Sequence, residues 1–232
     1  MNAERHEGKQ LKYITVLPDD YEESVQYPLV IMLHGFGANM DDLAGLAPAI
    51  ETEGYVYVCP NAPIPFDLGS GHIGYGWSPP RGQATPQDIQ NSETLLKEFF
   101  DEIFGSFKGS EGNALLMGFS QGGGMTYRCG IDCPDRFNGL VALSAALPDP
   151  SELQDRLPVN RDQPIFIAHG LSDAMVSMET ARNTKAFLES AGYHPDYHEY
   201  AMGHEIPLVV LQDMIPWMTN VLPPYRKVGS SL

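Results

Sequence analysis

Short apolar runs recur at wide intervals along the chain, and segments with helical periodicity separate them. Near-continuous apolar runs are typical of strands in a parallel sheet that is covered on both faces. Leu11–Leu17 instead alternates between apolar and polar positions, which predicts a half-solvated strand. The remaining predicted strands are Leu29–Leu33, Tyr55–Cys59, Ala114–Phe119, Gly139–Leu143, Ile165–Ala168 and Asp196–Tyr200.

The segments between these strands carry start and stop signals of helices. Thr85 followed by Pro86 fits an N-cap with proline at the first helical position, and Gly192 fits the position just after a helix end. The predicted helices are Asp41–Glu53, Thr85 to about Phe104, Met178–Ala191 and Glu205 to about Met218, the last disturbed near Pro216. Strands that alternate with helices predict an α/β fold with an open, mostly parallel central sheet and helices on both faces. Neither a repeat nor a linker divides the chain, so we expect a single domain over residues 1–232.

The segment from Pro60 to Gly82 departs from this pattern because it is dense in proline, glycine and aromatic residues. It is too long for an ordinary connection, so it is either a disordered insertion or a functional loop. The aromatic residues Phe66, Tyr75 and Trp77 favour a functional loop, since disordered segments are poor in aromatics.

Composition and charge narrow the class of partner. The formal net charge of −16 disfavours nucleic acid and anionic membrane surfaces, because the summed field repels polyanions. No apolar run approaches the ~20 residues of a membrane span, and the charged N-terminus lacks the apolar stretch of a secretory signal. The three cysteines, Cys59, Cys129 and Cys133, are better explained as free thiols than as a zinc site. We therefore expect a soluble, cytoplasmic protein.

The segment Gly118-Phe119-Ser120-Gln121-Gly122 matches G-x-S-x-G, with a predicted strand before it and a helix-compatible segment after it. In that context the serine occupies a sharp strand-to-helix turn, which is the nucleophile elbow of the α/β-hydrolase fold. The sequence therefore predicts that Ser120 is a nucleophile.

A serine nucleophile needs a base and an acid, and the fold expects them in the chain order Ser, Asp or Glu, His. His204 follows the predicted strand Asp196–Tyr200 in a glycine-containing turn, which suits a base that must reach over the sheet. Asp173 comes directly after the strand Ile165–Ala168, at a carboxyl end where catalytic groups gather. The alternatives fit this order or placement less well: His169, His194 and His198 as base, and Asp149, Asp155, Asp162, Asp196, Glu199 and Glu205 as acid.

Acyl transfer also needs N–H donors for the developing oxyanion. One should be the backbone N–H of Gln121, and the other should come from the glycine-rich loop after the strand Leu29–Leu33. We place the second donor at Phe36, with Gly35 as the alternative. His34, in the same tight turn, is better explained by a structural role than as a base.

Four motifs in order, LHGFGAN, GFSQGG, SDAMV and MGHEI, resemble those of the phospholipase/carboxylesterase family of α/β-hydrolases, which includes acyl-protein thioesterases and bacterial carboxylesterases. The resemblance spans Leu33 to Ile206. It implies the triad Ser120, Asp173 and His204, and an oxyanion hole from the N–H groups of Phe36 and Gln121. It also implies a minimal fold without a large cap domain, and a homodimer as a candidate assembly.

One departure from the family concerns the loop before the nucleophile. Acyl-protein thioesterases usually carry a Trp followed by an aromatic and an Asp there, whereas Trp77 is followed by Ser78, Pro79 and Pro80. We therefore leave the chain length of the substrate open, and expect Phe66, Tyr75 and Trp77 to line the pocket.

Three functional hypotheses follow. The first is a serine carboxylesterase that hydrolyses small, uncharged esters, and the second is a thioesterase or lysophospholipase that uses the same triad. The third is a non-catalytic ligand-binding protein, which the intact triad and oxyanion glycines disfavour. The sequence contains no HExxH, paired CxxC or Walker motif, so we expect neither a metal nor a cofactor.

Overall fold

A twisted sheet of eight strands forms the centre of the structure, a computed structural model that describes residues 1–69 and 71–227. The strands of this sheet are β1 (Asn2–Glu7), β2 (Lys12–Leu17), β3 (Leu29–Leu33), β4 (Val56–Pro60), β7 (Ala114–Phe119), β8 (Gly139–Leu143), β9 (Ile165–Gly170) and β10 (Asp196–Tyr200). Their order across the sheet is β1-β2-β4-β3-β7-β8-β9-β10; β1, β2 and β4 pair antiparallel, and the pairs from β4 to β10 are parallel. The predicted mostly parallel sheet is therefore confirmed.

Helices cover both faces of the sheet. They are α1 (Met40–Ala44), α2 (Ala47–Ile50), α3 (Pro86–Ser106), α4 (Gln121–Gly130), α5 (Pro150–Gln154), α6 (Met178–Ser190) and α7 (Leu208–Val221). Alternate residues of β3 separate two apolar clusters: Leu29, Ile31 and Leu33 pack with α3 and α4, whereas Val30 and Met32 pack with α1 and α7. Because side chains alternate across a strand, these near-continuous apolar runs bury both faces at once.

Local signals account for the observed helix ends. Thr85 caps α3 as predicted, and its side chain and that of Asp88 form a reciprocal capping box. The predicted helix Asp41–Glu53 is instead two short helices, α1 and α2, separated at Gly45. Proline has no N–H and its ring crowds the preceding turn, so Pro48 would weaken the interior of a helix that began at Met40, whereas in the first turn of α2 it costs no hydrogen bond. The last helix starts at Leu208 rather than Glu205, after Pro207 as its N-cap, and continues through Pro216 to Val221.

The aromatic- and glycine-rich segment 60–82 contains an ordered hairpin. Strands β5 (Ile64–Asp67) and β6 (Ile73–Gly76) pair antiparallel in a separate small sheet. The hairpin docks on the loop after β3, where the Gly37 N–H donates to the Tyr75 carbonyl and the Tyr75 N–H donates to the Ala38 carbonyl, each at 2.8 Å. The described part of this segment is therefore ordered rather than a disordered insertion, and its role as a functional loop stays a prediction.

Among the helices of the described residues, none is both long enough and apolar enough to cross a bilayer.

We predict that close packing of α4 on β3 makes Gly122 irreplaceable. A Cβ atom at Gly122 would overlap the carbonyl oxygen of Leu33, so Gly122→Ala is expected to lower the free energy of unfolding by about 3 kcal/mol or more. Urea denaturation followed by circular dichroism measures this change.

Gly124 on the same helix is the matched control. A Cβ atom at Gly124 would make only ordinary contact, 3.4 Å from the carbonyl oxygen of Ala146. Gly124→Ala is therefore expected to be neutral or to stabilise by up to about 1 kcal/mol. Equal losses in the two variants would contradict this account of the packing.

Candidate active site

Ser120 lies in the sharp turn between β7 and α4, with φ 54° and ψ −118°. Its N–H donates to the carbonyl of Leu143 at 2.8 Å, which anchors the turn to the neighbouring strand β8. A Cβ atom on Gly118 would overlap the backbone of Gly122, so only glycine permits the chain to reverse this tightly. This turn places the serine at the carboxyl edge of the sheet, as the predicted nucleophile elbow requires.

The structure brings the three predicted triad residues together. His204 Nε2 lies 2.8 Å from Ser120 Oγ, and His204 Nδ1 lies 2.7 Å from Asp173 Oδ2. A carboxylate accepts hydrogen bonds, so Nδ1 carries the proton and Nε2 is left as the acceptor that faces the serine hydroxyl. Ser120, His204 and Asp173 therefore form a continuous hydrogen-bonded chain with the geometry of a general base and its orienting acid.

Asp173 is held in the turn after β9 by several donors. Its Oδ1 accepts the N–H groups of Met175 and Val176, each at 2.8 Å, while Oδ2 faces His204. Burial raises the pKa of Asp173, but the hydrogen bonds from His204, Val176 and Met175 outweigh it, so its pKa lies below the ordinary value. These donors therefore favour the ionised form of the Asp173 carboxyl.

His169 is completely buried behind the acid. Its Nε2–H donates to the carbonyl of Val176 at 2.8 Å and lies 3.6 Å from Asp173 Oδ2. The sequence disfavours His169 as the base and predicts no other role for it. Its place at the end of β9, just before the acid-bearing turn, was the available signal that it supports that turn.

The loop after β3 packs directly against the nucleophile turn. A Cβ atom on Gly35 would lie 3.2 Å from the ring of Phe119 and 3.4 Å from Ser120 Cβ. Gln121 is the first residue of α4, so its N–H has no partner within the helix. The Phe36 N–H donates to no backbone acceptor in the part of the chain that the structure describes. Both predicted oxyanion donors thus belong to segments that adjoin Ser120.

The three predicted pocket residues differ in their surroundings. The Phe66 ring packs against Phe36, with 4.8 Å between ring centroids, and therefore sits beside the oxyanion loop. Tyr75 is half-buried and packs against the apolar cluster of α3 and α4. The prediction that Trp77 lines the pocket is wrong: its side chain is completely buried, and its indole N–H donates to the carbonyl of His34 at 2.9 Å. Pocket roles for Phe66 and Tyr75 stay predictions.

Exposed apolar side chains gather on the segments that carry the site. Among the described residues, the large exposed apolar side chains other than Val159 are Phe36, Leu68, Ile73, Leu171, Met175, Leu208 and Val209. They belong to the oxyanion loop, the hairpin that packs on it, the acid-bearing turn and the start of α7 just after His204. Exposed apolar side chains on segments that carry a catalytic site are suited to contact apolar parts of a substrate. We call this group the apolar rim.

No group of three or more His, Cys, Asp or Glu side chains among residues 1–69 and 71–227 is arranged to hold a metal ion.

Comparison with known proteins places this site in a family. The sequence model of the phospholipase/carboxylesterase family matches residues 21–222. The chain is 27% identical to acyl-protein thioesterase 1 of Aspergillus fumigatus, over 84% of this chain and 88% of that relative. It is 28% identical to a probable carboxylesterase of Oryza sativa subsp. japonica, over 83% of this chain and 77% of that relative.

A solved structure shares the fold. The crystal structure of esterase PE8 superposes with a TM-score of 0.79 at 22% identity, over 92% of this chain and all of that chain. Among the described residues, the helices and strands form this fold and no separate cap domain is evident, in agreement with the minimal α/β-hydrolase fold that the motifs imply. The chain belongs to the phospholipase/carboxylesterase family of α/β-hydrolases and is a serine hydrolase.

Proposed function

We propose that this chain hydrolyses small, uncharged carboxylic esters through an acyl-enzyme formed on Ser120. The observation that carries the proposal is the hydrogen-bonded chain from Ser120 Oγ through His204 to Asp173, with distances of 2.8 and 2.7 Å. A hydroxyl becomes a nucleophile only when a base removes its proton, and this arrangement supplies that base.

Acylation begins when Ser120 Oγ attacks the ester carbonyl carbon. The hydroxyl proton moves to His204 Nε2, and Asp173 stabilises the imidazolium that results. The carbonyl oxygen becomes an oxyanion, which the N–H groups of Phe36 and Gln121 would receive. Collapse of this intermediate breaks the bond to the alcohol oxygen, and His204 returns the proton to the departing alkoxide.

Deacylation repeats these steps with water. His204 takes a proton from the attacking water, the bond between the acyl carbon and Ser120 Oγ breaks, and the proton returns to Ser120 Oγ. Because His204 must be neutral to accept a proton, activity is expected to fall as the pH falls. An activity maximum at about pH 5 would contradict this role for His204.

The apolar rim and the net charge together suggest the substrate class. Apolar side chains around the site favour acyl or alcohol groups with exposed hydrocarbon. The formal charge of −16 disfavours polyanionic substrates by long-range repulsion. Small, uncharged, modestly apolar esters satisfy both conditions.

Thioester hydrolysis is the second candidate function. Acyl-protein thioesterase 1 of Aspergillus fumigatus matches along most of this chain, and the same triad can expel a thiolate as readily as an alkoxide. The segment after Trp77 differs from the one usual in acyl-protein thioesterases, which favours the ester over the acylated protein as substrate.

The setting of the reaction is also a proposal. We expect a small-molecule substrate rather than nucleic acid or a membrane surface, and a cytoplasmic location. The free thiols of Cys59 and Cys129, both buried, are compatible with a reducing compartment.

Replacing the nucleophile tests the function directly. Ser120→Ala is expected to lower the rate on p-nitrophenyl esters, from acetate to laurate, by about four orders of magnitude or more, because no covalent intermediate can form. A fluorophosphonate probe should label the wild type and not the variant. The chain-length profile of the wild type measures the size of the acyl pocket.

Ser144 provides the matched control for this variant. It is a buried serine at the end of the neighbouring strand β8, also with positive φ (47°), and its Oγ has no hydrogen-bond partner among the described residues. Ser144→Ala should therefore retain wild-type activity and labelling. A wild type that folds but shows neither hydrolysis nor labelling would favour a non-catalytic binding role.

Asp173→Asn separates orientation of the base from folding of the turn. The amide oxygen can still accept the N–H groups of Met175 and Val176, but the amide nitrogen would face the Nδ1–H of His204. The imidazole then adopts the wrong tautomer, and kcat is expected to fall by about 10⁴-fold. Steady-state kinetics measures this loss; Asp162→Asn, an exposed position, should have no effect.

Matched oxygen esters and thioesters with identical acyl groups distinguish the two candidate functions. We expect a higher kcat/KM on the oxygen ester once the intrinsic reactivities are divided out. A clear preference for the thioester in the wild type, lost in Ser120→Ala, would make thioester hydrolysis the function.

A further inference from the structure

The two oxyanion donors lie on segments that are far apart in the chain. The Phe36 N–H belongs to the loop after β3, and the Gln121 N–H belongs to the start of α4. An oxyanion hole works only when both donors lie about 2.7–3.1 Å from the position that the oxyanion takes. Something must therefore fix the separation between these two segments.

His34 fixes the first donor through the peptide that carries it. Its Nε2 accepts the N–H of Ala62 at 3.0 Å, so Nδ1 carries the proton and donates to the Gly35 carbonyl at 2.7 Å. The Ala38 N–H donates to the same oxygen at 3.3 Å. In a planar trans peptide the C=O and N–H point in opposite directions, so anchoring the Gly35 oxygen also fixes the direction of the Phe36 N–H.

Hydrogen bonds on the carbonyl of a peptide also polarise its N–H. The Phe36 N–H is therefore a stronger donor while His34 is neutral and keeps this tautomer. Burial lowers the pKa of His34, although the bond to the Gly35 carbonyl and the charge of Asp42 oppose the shift. The imidazole is accordingly neutral in the pH range in which a histidine base can act.

The side chain of Gln121 anchors the second donor. Its Oε1 accepts the backbone N–H of Trp77 at 2.7 Å. Its Nε2 donates to Ser78 Oγ at 2.7 Å and to the Ser78 carbonyl at 3.1 Å. The start of α4 is thus tied to the two residues that follow the hairpin.

Trp77 contacts both His34 and Gln121, the residues that hold the two donors. Its indole N–H donates to the His34 carbonyl at 2.9 Å, its ring packs on the imidazole with 5.7 Å between centroids, and its backbone N–H reaches Gln121. The side chain is completely buried, so these bonds are shielded from competing water.

We propose that Trp77 is a positioning residue that sets the separation of the two oxyanion donors. It does so by joining His34, which fixes the first donor, to the Gln121 side chain, which anchors the second. The inference rests on the proposed function, because it gives Trp77 a role in stabilising the transition state of that reaction. Its effect should appear in kcat and in the binding of transition-state analogues, and KM should not change.

Trp77→Phe is the test, because it removes the indole N–H while keeping an aromatic ring and the backbone N–H. We expect kcat to fall about 10- to 100-fold with KM unchanged. Affinity for a trifluoromethyl ketone analogue should fall by the same factor, and labelling by a fluorophosphonate probe should slow, since both place an oxygen between the donors.

Trp217→Phe is the matched control. Trp217 lies on α7, its ring is 5.6 Å from that of Phe166, and it packs near Gly139 at the start of β8, the opposite end of that strand from the site. This variant loses an indole N–H without touching the oxyanion loop. It should retain the wild-type kcat, analogue affinity and labelling rate.

Gln121→Ala keeps the test decisive if Trp77→Phe does not fold. It retains the Gln121 N–H but removes the hydrogen bonds between the Gln121 side chain and residues Trp77 and Ser78. We therefore expect kcat and analogue affinity to fall together again, with KM unchanged. In the double variant the combined loss should be smaller than the product of the single losses, because both ties serve one separation.

Two results have different meanings. If Trp77→Phe and Gln121→Ala lower stability but keep the wild-type kcat and analogue affinity, the positioning role is wrong, while an inactive Ser120→Ala still supports the proposed function. If the wild type neither hydrolyses esters or thioesters nor reacts with the fluorophosphonate, the proposed function itself fails.

Discussion

The strained backbone at Ser120 is the constraint on which the site depends. A non-glycine residue with φ 54° and ψ −118° costs on the order of 1–3 kcal/mol, and it persists only where its surroundings offset that cost. Here the Ser120 N–H bonds to Leu143, the Ser120 carbonyl accepts the Gly124 N–H, and Gly118 and Gly122 allow β7 and α4 to touch. The packing of α4 against the sheet therefore holds the nucleophile in place.

Backbone hydrogen bonds at the carboxyl edge join the nucleophile to its partners. The Ser144 N–H donates to the Ala168 carbonyl at 2.8 Å, which continues the sheet beyond β8 toward the acid-bearing turn. That turn is joined in its own right to the histidine loop, because the Leu171 N–H donates to Tyr200 and the Ser172 N–H donates to Met202. The three triad side chains thus come from separate strands, yet their backbones belong to one network. This explains how loops can hold hydrogen bonds of 2.7 and 2.8 Å in the side chains.

The sequence predicted the elements whose pattern reflects burial on both faces. The bounds of β3, β7 and β8 agree with the prediction, because apolar runs in a covered parallel sheet leave little choice of register. The bounds of β10 also agree, although it is a polar strand at the sheet edge in which Tyr200 alone is buried. The edge strand β1 was missed, because Asn2–Glu7 is largely exposed and carries no apolar alternation. The hairpin strands were missed because glycines and prolines obscure a period of two. The order of Ser120, Asp173 and His204 could be predicted, since each follows a strand. The buried residues around the site that hold its groups in position could not be predicted.

Trp77 illustrates why these supporting residues could not be predicted from the sequence. Trp77 was predicted to line the pocket because it is an aromatic residue in a glycine-rich loop near the nucleophile. Its burial depends on contacts with residues distant in sequence, so the local pattern did not reveal it. The glycines before it carried the missing signal: a Cβ atom at Gly74 would overlap the Gly37 carbonyl, and one at Gly76 would lie 2.9 Å from the Phe36 ring. The alternating glycines of β6 allow the hairpin to pack closely against the oxyanion loop. The next residue along the chain, Trp77, then lies where its indole N–H donates to the carbonyl of His34 in that loop. Close backbone approach, rather than aromatic content, is therefore what indicates that this segment supports the site from within.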